Sequence, residues 1–281
     1  MAGILAPAFG KSEGWLRKIR IAVGTPGRRN GGMIAADASH LTLIALIFLL
    51  AGMVKGVTGM GLPTVAMGLL GSLMPPPLAA SLLVVPSFVT NFWQLGAGPS
   101  FRRQANRLWP MMVGIVIGTV VCAGLLTGGA TRWTAATLGT ALCLYALVSL
   151  ASWNWRVTPP VERWLSLPIG IATGAITGAT GVFVIPAVPY LQALGLDRDD
   201  LVQALGLSFT VSTVALAVGL ADSGVLAADQ LLASGMALGP AIIGMVLGQR
   251  LRAVISARAF RRWFLICLAG LGAQLLVRSI A

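Results

Sequence analysis

The residues most able to do chemistry lie where a membrane-spanning helix would least tolerate them. The stretch "MVKGVTGMGLPTVAMGLLGSLMPPP" over 53–77 sets Lys55, several glycines and a run of prolines into an otherwise apolar segment. A helix interrupted at membrane depth frees N–H and C=O groups that lipid cannot satisfy, so the break must pack on protein or line a wet cavity. Around Thr58, Gly59 and Gly61 the backbone can approach a ligand closely. A helix restarting near Pro63 would offer free N–H groups and a positive dipole end, which suit an anion. Lys55 adds a full positive charge. None of the eight acidic residues falls deep within an apolar run to pair with it, so an anionic ligand suits it as counterion. The plainer reading is that Lys55 lies near an interface and extends its ammonium outward.

The same pattern recurs downstream. Thr177-Gly178 matches Thr58-Gly59, Gly181 matches Gly61 and Pro186 matches Pro63, with Thr180 beside the second break. Gly52 and Gly56 fit close helix packing. Gly59, Gly61, Gly178 and Gly181 lie beside the breaks and fit ligand approach. The apolar segment after each break carries a Ser-Phe pair, Ser87-Phe88 and Ser208-Phe209. Ser87, Asn91 and Gln94 share one helix face, as do Ser208 and Ser212. Thr90, Gln203, Thr210 and Thr213 add further hydroxyls and amides. Such groups bond helices together in membranes, and they equally suit a weakly hydrated oxyanion. Trp93 reads as part of an interface belt.

These residues need apolar elements to hold them. Of 281 residues, 57% are hydrophobic and 10% charged, where a soluble domain has roughly a quarter charged. Too few polar residues remain to cover a water-exposed exterior. The chain reads as an all-α, polytopic helical membrane protein. Eight apolar segments are expected at 41–73 (broken near 56–63), 78–95, 108–127, 134–152, 167–195 (broken near 174–186), 201–221, 227–249 and 263–280. They form two four-segment repeats, each with a broken first helix: repeat 1 over 41–152 and repeat 2 over 167–281, joined by a linker at 153–166. Residues 1–40 read as a basic N-terminal tail with Lys11, Arg17, Lys18, Arg20, Arg28 and Arg29. It lacks the apolar core of a cleavable signal, and Met33 is an alternative start to Met1.

Loop charge relates the halves. Arg102, Arg103 and Arg107 follow the second segment, whereas Asp222 and Asp229 follow the sixth. Arg132 alone follows the third, whereas Arg250, Arg252, Arg258, Arg261 and Arg262 follow the seventh. The basic side switches between halves, which favours inverted repeats. Inversion needs an odd number of crossings per repeat, so one or both broken segments re-enter rather than cross.

The net charge of +12 sits in gaps between apolar runs, where it orients insertion; nucleic acid is not an expected partner. Cys122, Cys143 and Cys267 form no CxxC or Cys/His cluster, and His40 has no ligand neighbour, so neither a metal nor a cofactor is expected. There is no HExxH, Walker motif, intramembrane Asp pair or Ser/His arrangement, so the chain does not read as an enzyme.

With "AGMVKGVTGMGLPTVAMGLLG", the proline-rich turn, "LLVVPSFVTNFWQ", "GIATGAITGATGVFVIPAVPYLQALGL" and "ALGLSFTVST", the chain resembles the TauE/SafE sulfite exporter-like (sulfonate permease) family over about 41–280. The resemblance implies an inner-membrane, multi-pass permease for sulfite, organosulfonates or related small anions. From residues and resemblance together, the expected function is a secondary transporter exporting a small sulfur-containing or carboxylate anion, bound between the two broken helices. Its expected site residues are Lys55, Thr58, Gly59, Gly61, Ser87, Asn91, Thr177, Gly178, Thr180, Gly181, Ser208 and Ser212. The N-terminus is expected in the cytoplasm, and a coupling ion (proton or sodium) and a homo-oligomer are left open. The alternatives are a non-transporting membrane partner or assembly protein, and a channel; short loops and the lack of a continuous polar lining disfavour them.

Overall fold

The computed structural model describes residues 31–96, 98–128, 131–151 and 156–280, without side chains at 31–39, 131, 257, 258 and 280. The expected basic tail up to residue 30, and the start of the expected linker at 153–155, lie outside the described residues. Two units are distinguished, Met1–Leu43 and Ile44–Ala281. In the first, residues 31–43 are helical, with Leu41 and Leu43 exposed. All that follows concerns the second.

Regular structure among the described residues is helical. The helices are α1 (Gly31–Thr58), α2 (Leu62–Leu73), α3 (Pro76–Leu95), α4 (Phe101–Gly128), α5 (Thr131–Leu150), α6 (Pro159–Thr180), α7 (Ala187–Ala193), α8 (Arg198–Asp222), α9 (Ala228–Leu251) and α10 (Ala257–Ile280). Seven are long and apolar enough to cross a membrane: α1, α3, α4, α5, α8, α9 and α10. This is a polytopic helical membrane protein. Helix α6 begins at Pro159, ahead of the expected end of the linker. Proline at a first helical turn loses no hydrogen bond, and Glu162 in that turn complements the helix dipole.

Four glycine-rich seams bring backbones together. The most extensive described contact is α4 on α6. There a Cβ on Gly118 would fall 2.2 Å from Ile171 O, and one on Gly174 2.2 Å from Ile115 O. From Ile44 onward, α1 meets α9 the same way: Gly52 faces Ala241, Gly56 faces Met245, and Gly248 faces Met53. In both seams residue numbers rise together, so the partners are parallel. Helix α5 meets α10 with Gly139 against Gly272 and Arg132 against Ser279. Helix α3 meets α8 with Gln94 near Val202 and Asn91 near Thr213. These two pairs are antiparallel. Small residues let van der Waals contact replace the hydrophobic drive that lipid does not supply.

The contacts also sort the helix ends. Gln203 Nε2 donates to Leu95 O at 2.9 Å, Arg103 pairs with Asp200, and Arg107 pairs with Glu162. The end of α3 and the starts of α4, α6 and α8 therefore share one end of the bundle. By its antiparallel pairing with α5, α10 starts there too, which adds Arg250, Arg252, Arg261 and Arg262 to this arginine-rich end. The opposite end joins the end of α2, the start of α5 and the end of α10, through Arg278 to Ser72 O at 3.0 Å and Arg132 to Ser279 O.

Proline inside α3 is compensated by a neighbouring helix. Pro86 has no N–H for Leu82 O. Ser234 of α9 donates its hydroxyl to Leu82 O at 2.8 Å and accepts the Val85 N–H at 3.0 Å. A side chain of α9 thus restores the backbone bonding of α3.

Candidate functional site

Each long first segment proves to be a hairpin. Helix α1 ends at Thr58 near Gln94, at the arginine-rich end of α3, and α2 runs back to Ser72 at the opposite end. Helix α6 starts at the arginine-rich end and stops at Thr180. Helix α7 then returns, with Val157 N–H on Ala193 O at 2.9 Å and Tyr190 Oη against Ser166 Oγ at 2.7 Å. The interrupted segments therefore reverse the chain.

The reversals are built alike. Gly59 (φ 79°) and Gly181 (φ 72°) close their helices in the left-handed region, where a side chain would be strained. Their N–H groups bond Lys55 O at 2.8 Å and Thr177 O at 2.7 Å. Thr58 Oγ1 lies 2.9 Å from Val54 O and accepts the Met60 N–H at 3.3 Å. Thr180 Oγ1 lies 2.6 Å from Ile176 O and accepts the Val182 N–H at 3.2 Å. Thr58-Gly59 therefore corresponds to Thr180-Gly181, and the expected match with Thr177-Gly178 is displaced by one turn. Packing glycines run directly into the cap at the same spacing, so the local pattern does not distinguish Gly178 from Gly181. On the corrected register Lys55 corresponds to Thr177, whose hydroxyl bonds Thr173 O at 2.7 Å. Gly178 corresponds to Gly56 and sits in the α4–α6 seam, where a Cβ would be 2.5 Å from Thr119 O.

Lys55 is only 4% exposed. Its Nζ donates to Asn91 Oδ1, a neutral amide on α3. Asn91 Nδ2 in turn donates to Thr213 Oγ1 of α8 at 3.4 Å, and Thr213 to Phe209 O at 2.7 Å. Alongside, Gln94 Nε2 donates to Gly59 O at 3.0 Å and Val202 O at 3.2 Å. The carbonyl freed by the first break is thus satisfied from α3. A polar chain runs from α1 through α3 to α8. Among the described residues the ion pairs are Arg103–Asp200 and Arg107–Glu162, and neither involves Lys55. A buried ammonium held only by an amide is electrostatically incomplete.

Ser87, Ser208 and Ser212 are buried, and among the described residues their hydroxyls have no hydrogen-bond partner; nor does Gln94 Oε1. Buried hydroxyls are ordinarily paired. Ser87 lies on α3, and Ser208 and Ser212 lie on α8.

The two breaks meet different neighbours. Gly61 lies against Val54 and Phe264, whereas Gly181 lies against Met67 and Ala80. Six residues of α2 separate Gly61 from Met67, about 9 Å at 1.5 Å per residue. The breaks also differ in lining. At the first, Thr64 Oγ1 donates to Gly61 O at 2.8 Å and Pro63 sits in the opening turn of α2. The second is filled by buried Val182, Phe183 and Val184, with Phe183 and Phe209 rings 5.3 Å apart. Helix α7 has only seven residues, too short to bring a substantial dipole. The polar focus is therefore the Lys55 side, flanked by α3 and α8.

Gln94 and Thr213, both among the polar residues noted in the sequence, belong to this network. Gln94 lies one turn from Asn91; that Thr213 meets Asn91 across 122 residues has no local signal. Glu162, buried against Arg107 with Nε–Oε1 2.6 Å and Nη2–Oε2 2.7 Å, was likewise unforeseen. Trp93 points outward, as expected of a belt residue.

No curated protein and no solved structure matches the chain. A family model does: that of the sulfite exporter TauE/SafE, over residues 44–275.

Proposed function

Because the chain belongs to the sulfite exporter TauE/SafE family, a family of membrane transporters, we propose that it exports a small oxyanion such as sulfite, an organosulfonate or a related carboxylate, held against Lys55. The observation that carries this is the buried Lys55 ammonium bonded to the neutral amide of Asn91, with unpartnered serine hydroxyls on α3 and α8. An anion arriving there would take over Lys55 Nζ from Asn91 Oδ1. It would add the charge-assisted bond the ammonium lacks, and Asn91 Nδ2 and the hydroxyls of Ser87, Ser208 and Ser212 would complete its shell. Thr58, Gly59 and Gly61 shape the floor at the first reversal. Thr177, Thr180 and Gly181 shape the second, and Gly178 holds α6 against α4.

The antiparallel pairing of α3 with α8 and of α5 with α10 supports inverted repeats, α1–α5 and α6–α10, about an axis in the membrane plane. The second repeat then starts at Pro159. The hairpins α1–α2 and α6–α7 would be the moving arms, packed on the opposite half through glycine seams. The arginine-rich end is assigned to the cytoplasm of an inner membrane. An interior-negative potential favours anion exit by about 2.3 kcal/mol per charge per 100 mV, with proton or sodium coupling as an addition to be tested.

The experiment is flux of radiolabelled sulfite and taurine in liposomes holding the full chain. Saturable flux that collapses in Lys55→Ala, in protein that remains folded, is the expected result. Flux of normal magnitude in Lys55→Ala would place the anion elsewhere.

A further inference from the structure

The arginines of the arginine-rich end are not used alike. On α4, Arg103 and Arg107 are paired with Asp200 and Glu162. Across the turn from α9 to α10, Arg250, Arg252, Arg261 and Arg262 join neither of the ion pairs found among the described residues. The sequence holds no Asp or Glu after Asp229. Insertion accounts for basic residues at this end, but it is indifferent to whether they are neutralised.

These four border the first reversal. A Cβ on Gly56 would lie 2.8 Å from Gln249 N, next to Arg250. A Cβ on Gly61 would lie 3.6 Å from the ring of Phe264, one turn beyond Arg261. Tyr145 Oη donates to Met60 Sδ at 3.7 Å, and Tyr145 lies within electrostatic reach of Arg261. The reversal among them is not sealed. Gly59 is half-buried, and a Cβ there would have nothing within 4 Å. Its N–H bonds Lys55 O at 2.8 Å, so this open space lies one helical turn from Lys55.

Resting on the reading of Lys55 as the anion site, we propose that Arg250, Arg252, Arg261 and Arg262 form a capture vestibule for the transported oxyanion at the first reversal. Like charges gathered at a mouth with low-dielectric walls focus the field and raise the local concentration of an opposite ion. Guanidinium forks match the oxygens of an oxyanion in pairs. Exposure of Arg250, Arg252 and Arg262 keeps each contact weak, so the anion is gathered without being trapped and passes by Gly59 to Lys55. With this end in the cytoplasm, the vestibule serves export.

The test is the KM for radiolabelled sulfite presented to the arginine-rich side of the full chain in phosphatidylcholine liposomes. It is measured at about 0.01 M and about 1 M of an inert salt, where the screening length is roughly 30 Å and 3 Å. In the quadruple variant Arg250→Gln/Arg252→Gln/Arg261→Gln/Arg262→Gln the low-salt KM should rise about tenfold, and at high salt it should converge with that of the unaltered chain. The corresponding quadruple lysine variant keeps the charge and should keep most of the low-salt affinity. If the glutamine variant does not fold, Val254→Glu sets an opposing charge in the same turn at a position 84% exposed, and it should raise the low-salt KM in the same manner. An unaltered low-salt KM in the variant measured overturns the vestibule, and so does a rise of equal size at both salt concentrations. Lys55→Ala should instead raise KM at both. If it does not, the reading of Lys55 fails whatever the arginines do, so the two failures are told apart.

Discussion

Lys55 on α1 donates its ammonium to the side-chain carbonyl of Asn91 on α3, and both are buried among groups that carry no opposing charge. The bond joins the arm that ends in a glycine cap to the helix that meets α8 in the other half. The proposed anion would supply the opposing charge that Asn91 lacks.

Removing the charge separates a binding role from a structural one. Lys55→Ala should raise the KM for the transported anion by about 10–150-fold, the effect of losing a ~1.5–3 kcal/mol charge-assisted bond. Asn91→Ala should act in the same direction but less, since the ammonium remains. Transport kinetics in liposomes measure both, and equal KM values in all three proteins would remove Lys55 from the site.

The serines give a sharper contrast. Ser208→Ala and Ser212→Ala delete hydroxyls that have no hydrogen-bond partner among the described residues, so thermal unfolding should barely move. If they bind substrate, KM should rise by about 2–10-fold. A fall in stability with unaltered KM would show them to be structural.

The seams predict an opposite pattern. Gly118→Ala or Gly174→Ala pushes a methyl group to about the positions that lie 2.2 Å from backbone oxygen of the facing helix, and overpacking of this kind costs roughly 1–3 kcal/mol. Gly235→Ala and Gly239→Ala, with nothing within 4 Å, should be tolerated. Unfolding temperatures of the four variants in one detergent decide it.

At the reversals, conformation rather than space is limiting. Gly59→Ala has open room for its methyl group, yet φ 79° should cost about 1–2 kcal/mol and disturb the carbonyl that Gln94 holds. Reduced stability with impaired transport is expected, and unchanged behaviour would mean that the turn relaxes freely.

The Arg107–Glu162 pair ties α4 of one half to α6 of the other. Glu162→Gln keeps the shape but removes the charge. With Arg107 partly exposed, the loss should be about 1–3 kcal/mol, below that of a fully buried pair. Thermal unfolding of Glu162→Gln beside the swapped Arg107→Glu/Glu162→Arg protein reads it, with partial recovery expected in the swap.

Much of this was legible along the chain. Long apolar runs with few charges dictate membrane helices whatever their neighbours, because burial in lipid depends on composition alone. Lys55, the glycines and the prolines marked the first break, since each is locally incompatible with a lipid-facing helix. The alternation of arginine and aspartate between matching loops pointed to inverted halves. Local pattern fails where packing glycines and capping glycines share one spacing: the sequence pairs Gly59 with Gly178, whereas the left-handed caps pair it with Gly181.

What the tertiary structure alone decided is who meets whom. That the breaks reverse the chain, and that Asn91 and Thr213 link Lys55 on α1 to α8, depend on contact between helices far apart in sequence. Side-chain identity sets what a residue can bond. Which partner lies within about 3 Å is set by the glycine seams and helix directions that bring the two halves together.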